Sequence, residues 1–404
     1  MDETNPCTRK DLEFFPVQQG GQEFVLIRDH LGLVKEGKAV ALPLYHIMTL
    51  LDGARTARDI QTEFMRQRGG VLVESEEVER LLDHLDASYL LDSQRFRKAR
   101  DKIISDFTSR SIRACSHCGN AYPEDPSQLK ERLDDILANQ PSQLKPEGKM
   151  KALVAPHIDL SAGYKAYSKA YQMLKYVTPS RIVILGVGHH VMTHLFCLTD
   201  KAFETPLGTV KNDAASVREL RDAGGDAVTA NDFAHRSEHS IEFQLLFLHH
   251  LLKEGSFHMI PILCGSVETC LYEYTRKAYQ EKAGPFLKKL KELVTEPDHE
   301  TLIIAGVDFS HIGPKFGHEM PALYMENQSE PHDRNLLDHL CRLDADAFWE
   351  ESKKMEDRFN VCGFSALACL LEVLPSSKGD VLAYELWHEE ATRSAVSFAA
   401  VVFS

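Results

Sequence analysis

The sequence has no long apolar run, no excess of basic residues and no leader pattern. No apolar stretch approaches the roughly 20 residues that a membrane-spanning helix requires. Lysine and arginine total 46 against 60 for aspartate and glutamate, and the net charge of −14 argues against non-specific binding to nucleic acid or anionic membrane. The first residues, MDETNPCTRK, lack the basic start and apolar core of a secretory signal, so we expect a cytoplasmic protein.

A disulfide framework is also missing. The nine cysteines are an odd number spread over 404 residues, which suits a reducing compartment. Cys115 and Cys118 form the only C-x-x-C motif, and a zinc site of four cysteines needs a second such pair. The motif alone therefore does not indicate a metal or redox site.

The first hundred residues differ in pattern from the rest of the chain. EFVLIRD (23–29) predicts a strand, LPLYHIMTLLDG (42–53) predicts a helix, and Thr56 is placed to cap a second helix. The apolar run at residues 71–73 follows two glycines and predicts a β-wing, after which Ser75 is expected to cap a third helix. Together these elements predict a small winged-helix-like α+β domain.

We expect this domain to span residues 1–94 and a basic helical linker to span residues 95–111. The pattern LLDGARTARDI…EEVERLLDHLDASYLL resembles the PqqD-like peptide-recognition domains, which bind a peptide as an added strand. The resemblance implies a peptide or protein partner here. A winged helix also binds DNA or packs on a neighbouring domain, but no basic recognition helix is visible, so DNA is the least favoured alternative.

From residue 112 onward, apolar runs of strand length alternate with segments of helical period. The runs are ALVAPH (152–157), RIVILGVG (181–188), HMIPILCG (258–265) and TLIIAGVDFSH (301–311). A final strand, SAVSFAAVVFS, closes the chain. Buried strands separated by helices predict an α/β domain with a doubly wound, mostly parallel sheet over residues 112–404.

Reactive side chains follow three of these predicted strands. His157 ends the first run, His189 and His190 follow the second, and Asp308 and His311 follow the last. The carboxyl ends of parallel strands meet at one edge of the sheet, where α/β folds bind ligands, so we expect a shared crevice. One histidine after a strand is usually a hydrogen-bonding residue, but three such strand ends favour a metal or acid–base site.

Further candidates lie beside helices. His239 and Glu242 in SEHSIEFQLLFLHHLL are spaced i, i+3 and are expected to share a helical face, although Glu242 is equally explained as a first-turn acid that complements the helix dipole. Cys362 precedes an apolar helix, and a helix N-terminus lowers a thiol pKa and favours the metal-binding thiolate. Cys264 is the second candidate thiol.

Two imidazoles and one thiolate make a three-ligand site with an open position. Such a site suits iron(II), copper or zinc and does not suit magnesium or calcium. Asp308 and His311 have the right chemistry to support the ligands or to transfer protons beside the metal.

These motifs together resemble the Memo family, also called the AmmeMemoRadiSam system protein B family. VAPH, ILGVGHH, TPLGTVKND, SEHSIEFQLLFL, VDFSHIG and CGFSA occur in the family's order. The resemblance implies a fold related to the class III extradiol dioxygenases and a metal held by His157, His189 and Cys362. The remaining motif residues are candidate catalytic groups: Asp308, His311, His239, Glu242 and His190.

The family is linked to iron and copper redox chemistry, and bacterial members have radical-SAM and AMMECR-type neighbours. We therefore expect a non-haem iron redox or dioxygenase-like enzyme acting on a small molecule or peptide, with copper or zinc as alternative metals. One alternative function is a zinc-type hydrolase with Asp308 or Glu242 as the base. Others are a non-catalytic peptide-binding scaffold and, as a minor alternative, a cysteine nucleophile with His311 as its base.

Overall fold

The computed structural model describes residues 5–35, 37–139, 145–146 and 148–404. The chain forms two compact units, Met1–Ser109 and Arg110–Ser404. Across the described part of the chain, no helix combines the length and the apolar character that crossing a bilayer requires.

The described residues of the first unit form one small sheet and four helices. Its three strands pair antiparallel in the order β1-β2-β3. In chain order the elements are β1 (Leu12–Gln19), β2 (Gln22–Asp29), β3 (Ala39–Ala41), α1 (Leu42–Leu50), α2 (Ala57–Gln67), α3 (Ser75–Ala87) and α4 (Gln94–Thr108).

The structure corrects two local predictions in this unit. No strand forms at residues 71–73, so the β-wing is wrong: Val73 is buried in the core, whereas Val71 and Leu72 are exposed in a coil. Ser75 is the first residue of α3, and Glu74 occupies the capping position without a side-chain hydrogen bond. Thr56 caps α2 as expected, in a reciprocal pair with Asp59. The PqqD-like resemblance and its peptide partner stay predictions.

The second unit holds the remaining elements. The strands are β4 (Ile112–Arg113), β5 (Ala152–Ala155), β6 (Arg181–Val187), β7 (Phe196–Leu198), β8 (Ala202–Thr205), β9 (Gly208–Val210), β10 (His258–Cys264), β11 (Thr301–Gly306), β12 (His311–Ile312), β13 (Gly379–Glu389) and β14 (Ser394–Phe403). The helices are α5 (Pro126–Asn139), α6 (Tyr164–Tyr171), α7 (Ala214–Gly224), α8 (Glu242–Leu251), α9 (Val267–Cys270), α10 (Arg276–Val294), α11 (Glu326–Cys341), α12 (Ala345–Met355) and α13 (Phe364–Val373). Short 3₁₀ turns span Gln172–Tyr176, Gly225–Ala227, Phe233–Arg236, Pro314–Phe316 and Ala322–Tyr324.

The main sheet has eight strands in the order β12-β14-β5-β11-β6-β10-β7, with β13 paired to β14. The four middle strands, β5, β11, β6 and β10, are parallel, and the flanking strands β14 and β7 are antiparallel to their neighbours. The unit is therefore a mixed α/β structure whose sheet is parallel at its centre. A second sheet, β4-β8-β9, is small.

Both faces of the main sheet are covered. Successive residues of β6 alternate between two apolar cores: Val183 and Leu185 pack with α7, α10, α12 and α13, whereas Ile182 and Ile184 pack with α5, α6 and α8. This two-residue alternation follows from the strand geometry. It explains why the strands are continuous apolar runs, as is typical of a parallel sheet with helices on both faces.

The register of the parallel strands aligns their carboxyl ends. Gly306 at the end of β11 is opposite Gly186 of β6 and Ala155 of β5. As a result, the residues that follow these strands, His157, His189 and Asp308, leave the sheet at the same edge.

Candidate metal centre

Three potential metal donors converge at this edge. One donor atom each from His157, His189 and Cys362 lie within 4.8 Å of one another, and we call these residues the His–His–Cys cluster. The Sγ atom of Cys362 is 3.6 Å from Nε2 of His157, and the centroids of the two imidazole rings are 5.3 Å apart. The cluster contains the three ligands that the family resemblance implies.

His157 is held in one orientation by the backbone around it. Its Nδ1 is 2.9 Å from the carbonyl oxygen of Gly306, an acceptor, which places the proton on Nδ1 and the lone pair on Nε2. Gly306 has to be glycine, because a Cβ there would lie 2.6 Å from the carbonyl oxygen of Ser240. Burial and the two neighbouring imidazoles, His239 and His189, keep the pKa of His157 well below its ordinary value, so the ring is neutral.

A carboxylate orients His189. Nδ1 of His189 is 2.9 Å and 3.1 Å from the two oxygens of Glu238, which also accept the backbone N–H groups of His189, His239 and Ser240. Burial by itself would raise the pKa of Glu238, but the charge and hydrogen bonds of His189 and His239 outweigh it and hold that pKa well below the ordinary value. A carboxylate on Nδ1 is the usual way in which proteins fix a metal-binding histidine.

The sequence pattern did not reveal Glu238, whose carboxylate contacts His189 in this site. Its side chain is buried. Because Glu238 precedes α8, the spacing of residues along that helix could not identify it. The signal in the sequence was local: an acidic residue directly before His239 in the polar segment SEHS.

Cys362 is positioned by the close approach of α13 to the end of β11. Gly363 donates its N–H to the carbonyl oxygen of Asp308 at 3.0 Å, and a Cβ on Gly363 would lie 2.5 Å from that oxygen. The expectation of a lowered thiol pKa is wrong. Burial, followed by the charge of Asp308, raises the pKa of Cys362 well above its ordinary value. The thiol is protonated, and metal binding has to displace its proton.

Asp308 lies next to the cluster. Its Oδ1 accepts the N–H of His157 at 3.0 Å, and Oδ2 is 3.7 Å from Nε2 of the same residue. Burial raises the pKa of Asp308 to about 7, because the backbone hydrogen bonds only partly offset it. His311 is partly buried, its Nδ1 is 3.0 Å from the carbonyl oxygen of Phe309, and burial lowers its pKa to about 4.

His239 packs against both imidazoles of the cluster. Its ring centroid is 5.1 Å from that of His157 and 5.3 Å from that of His189. His189, Glu238 and His239 form a second group of donor atoms within 4.8 Å of one another. Because the Glu238 oxygens already accept backbone and ring N–H groups, Glu238 in this group orients the two histidines.

Glu242 serves a different purpose from the one expected. It begins α8, whereas His239 lies before the helix, so the two do not share a helical face. The buried Glu242 carboxylate pairs with Arg113, accepts N–H groups of Ser116 and His117 at 3.1 Å and 2.9 Å, and accepts the hydroxyl of Tyr122. With these donors it anchors the segment before α5 and leaves no oxygen for the cluster.

Two other candidates also lie outside the cluster. His190 is exposed, and its donor atoms are not among the closely spaced groups found in the described residues. Cys264 is buried at the end of β10, and its thiol interacts with the buried thiol of Cys369. Cys264 contributes to the turn through its carbonyl oxygen, which accepts the N–H of Gly188 at 2.8 Å.

Residues 113–402 match the family model described as Memo-like protein. The chain belongs to this family. A MEMO1 family protein of Aquifex aeolicus is 32% identical over 97% of this chain and 99% of its own length. The MEMO1 family proteins of Thermus thermophilus and Methanopyrus kandleri are 27% and 28% identical over 86% and 70% of this chain, and over 99% and 96% of their own lengths. Because the Aquifex match covers nearly the whole chain, that relative also shares most of the first unit.

Proposed function

We propose that this Memo-like protein binds one redox-active metal ion, iron(II) or copper, at His157, His189 and Cys362, and works as a non-haem redox enzyme of the dioxygenase type. The observation that carries the proposal is the convergence of three donor atoms within 4.8 Å at the ligand edge of the sheet. Two neutral imidazoles and one sulfur form a donor set that suits iron(II), copper and zinc.

The residues around the cluster fit a metal ion. Gly306 and Glu238 engage the Nδ1 atoms of the two histidines, which directs both Nε2 lone pairs away from the backbone. Three protein ligands leave an open coordination position, as catalytic metal sites do. When bound, iron(II) or copper supplies one-electron chemistry with dioxygen or with an organic substrate.

Proton handling is assigned to Asp308. Burial raises the pKa of its carboxyl to about 7, and the charge of a metal ion at the cluster would lower that pKa again. A group that titrates near neutral pH, beside an open position, is suited to hold or deliver a proton during the reaction. His311, whose pKa is about 4, stays neutral and is suited to donate or accept a hydrogen bond.

Reconstitution with single metals tests the function. Metal-free protein is loaded anaerobically with iron(II), copper or zinc, and oxygen uptake is followed with an electrode after air is admitted. Uptake that depends on iron or copper supports the redox proposal. Zinc binding tighter than that of iron, with no uptake for any metal, would contradict it and favour the hydrolase, for which Asp308, 3.7 Å from Nε2 of His157, is the candidate base.

Glu238→Gln is expected to weaken metal binding about 10–100-fold, because the change removes the carboxylate that fixes the His189 ring. Competition with a chromophoric chelator measures the affinity. The matched control is Asp159→Asn, which makes the same chemical change at an exposed carboxylate two positions after His157. Equal affinities for both variants would contradict the orienting role.

Asp308→Asn is expected to keep the metal and lose turnover. The amide oxygen still accepts the N–H of His157, but the side chain no longer titrates, so oxygen uptake should fall about 10²–10⁴-fold. Because a bound cation favours the charged carboxylate, the inflection of the metal-loaded wild type should lie below pH 7, and it should be missing from the pH profile of the variant. An unchanged rate and profile at full metal content would show that Asp308 transfers no proton.

A further inference from the structure

Two cysteines outside the His–His–Cys cluster are held close together. The turn at residues 115–118 brings Sγ of Cys118 to 3.8 Å from the carbonyl oxygen of Cys115, and both residues are partly exposed. The two thiols interact, since burial and the neighbouring Cys118 raise the pKa of Cys115 to about 12. A C-x-x-C turn with accessible thiols has the geometry of a thiol–disulfide couple.

The turn is fixed to the rest of the unit. Glu242 accepts the N–H of Ser116, the N–H of His117 and the hydroxyl of Ser116 at 2.9–3.1 Å. Gly119 donates to the carbonyl oxygen of Tyr122 at 2.8 Å, which closes the next turn. The cysteines are therefore presented by an anchored loop.

The turn also borders the His–His–Cys cluster. The ring of His117, between the two cysteines, has its centroid 5.5 Å from that of His239. His239 in turn contacts both His157 and His189. Two side-chain rings thus separate the cysteine pair from the cluster.

A metal site is the weaker explanation for the pair. The closely spaced donor groups of the described residues contain neither Cys115 nor Cys118. His117, the nearest histidine in sequence, has its Nδ1 2.8 Å from the hydroxyl of Ser116 and 3.6 Å from a Glu242 oxygen. Within the described part of the chain, no third donor forms a closely spaced group with the two thiols, whereas a disulfide needs only the two of them.

We propose that Cys115 and Cys118 form a reversible disulfide whose oxidant is a low-molecular-weight disulfide of the glutathione type. The thiolate of Cys118 attacks a sulfur of the small disulfide, whose S–S bond breaks and releases one small thiol. The second cysteine thiolate then attacks the protein-bound mixed disulfide and releases the other small thiol. Two electrons pass to the small disulfide, and the two cysteine protons end on the two released thiols.

The couple places a two-electron reductant beside the proposed redox metal. Its formation does not depend on the proposed function, because the exchange involves no metal ion. The pair and the metal site are therefore tested separately, and failure of one leaves the other standing.

Full-length protein is equilibrated with a chelator in buffers of graded reduced and oxidised glutathione, acid-quenched, unfolded, alkylated and analysed by peptide mass spectrometry. As the share of oxidised glutathione rises, we expect the peptide with Cys115 and Cys118 to convert in one transition with a single midpoint. The product carries no alkyl label, and its mass is two hydrogen atoms below that of the unlabelled reduced peptide. Cys118→Ser should abolish this internal bond and leave Cys115 alkylated or carrying one glutathione. Cys115 and Cys118 that stay alkylated in every buffer, or that each carry a separate glutathione, would overturn the proposal.

Cys264 and Cys369 provide the internal control. Their thiols are also adjacent, but both residues are buried. In the same samples this pair should keep both alkyl labels. Oxidation of Cys264 and Cys369 over the same buffer range would attribute the reaction to opening of the fold and would overturn the assignment to an accessible couple.

Discussion

Wild-type protein is expected to retain metal on purification, and replacing Cys362 with alanine is expected to remove most of it. The change deletes one of the three donor atoms that lie within 4.8 Å of one another. Residues that only orient a ligand contribute about 10–100-fold to metal affinity, so loss of the ligand itself should cost at least about 100-fold. Elemental analysis of untagged protein, purified without added metal, measures the effect.

Cys369→Ala is the matched control. Cys369 is a fully buried cysteine of α13, the helix that follows Cys362, and its sulfur lies outside the His–His–Cys cluster. This variant should lose packing and keep the wild-type metal content. Equal metal content in wild type and Cys362→Ala would mean that the His–His–Cys cluster does not hold the ion. That result would also contradict the proposed function.

Glu242→Ala is expected to destabilise the second unit by about 3–5 kcal/mol, because it leaves the buried guanidinium of Arg113 without its charge partner. Both tryptophans, Trp349 and Trp387, lie in this unit, so their fluorescence during urea unfolding reports its stability. The exposed pair Glu330–Arg334 supplies the control, since Glu330→Ala should cost at most about 1 kcal/mol.

The same carboxylate predicts a pH dependence. Burial alone would raise the pKa of Glu242, but the charge of Arg113 and the surrounding donors outweigh it, and the pKa is lower in the folded protein than in the unfolded chain. Its contribution to stability is therefore complete above the ordinary carboxyl pKa of about 4.3 and is lost as the pH falls below that value. Glu242→Ala should lose less stability than wild type over that acid range. Equal acid sensitivity would contradict the assigned pairing.

The parallel centre of the fold was predictable because its strands are buried on both faces. Continuous apolar runs at 181–187 and 258–264 are strands in the structure, as the pattern indicated. The antiparallel flanks were not visible in that pattern, since the direction in which β14 enters the sheet depends on the path of the connecting chain. The β-wing failed because two apolar residues, Val71 and Leu72, stay exposed, so an apolar run alone did not predict their burial.

The site, like the fold, was only partly predictable from the sequence. Strand ends with histidines pointed to His157 and His189 because parallel strands bring their carboxyl ends together. Helical spacing misassigned Glu242, whose partner Arg113 is distant in sequence. Glu238, next to His239 in the chain, was missed because nothing in the sequence shows that its side chain turns towards His189.

The sequence by itself determined which strands are buried, which reactive residues follow them, and which family motifs these residues form. Local periodicity and composition carry that information, because a strand that is buried on both faces is a continuous apolar run of strand length. Only the tertiary structure decided the roles. A carboxylate orients a ligand, anchors a loop or transfers a proton according to the groups packed around it. Those groups set both its hydrogen bonds and its pKa, and they come from distant parts of the chain.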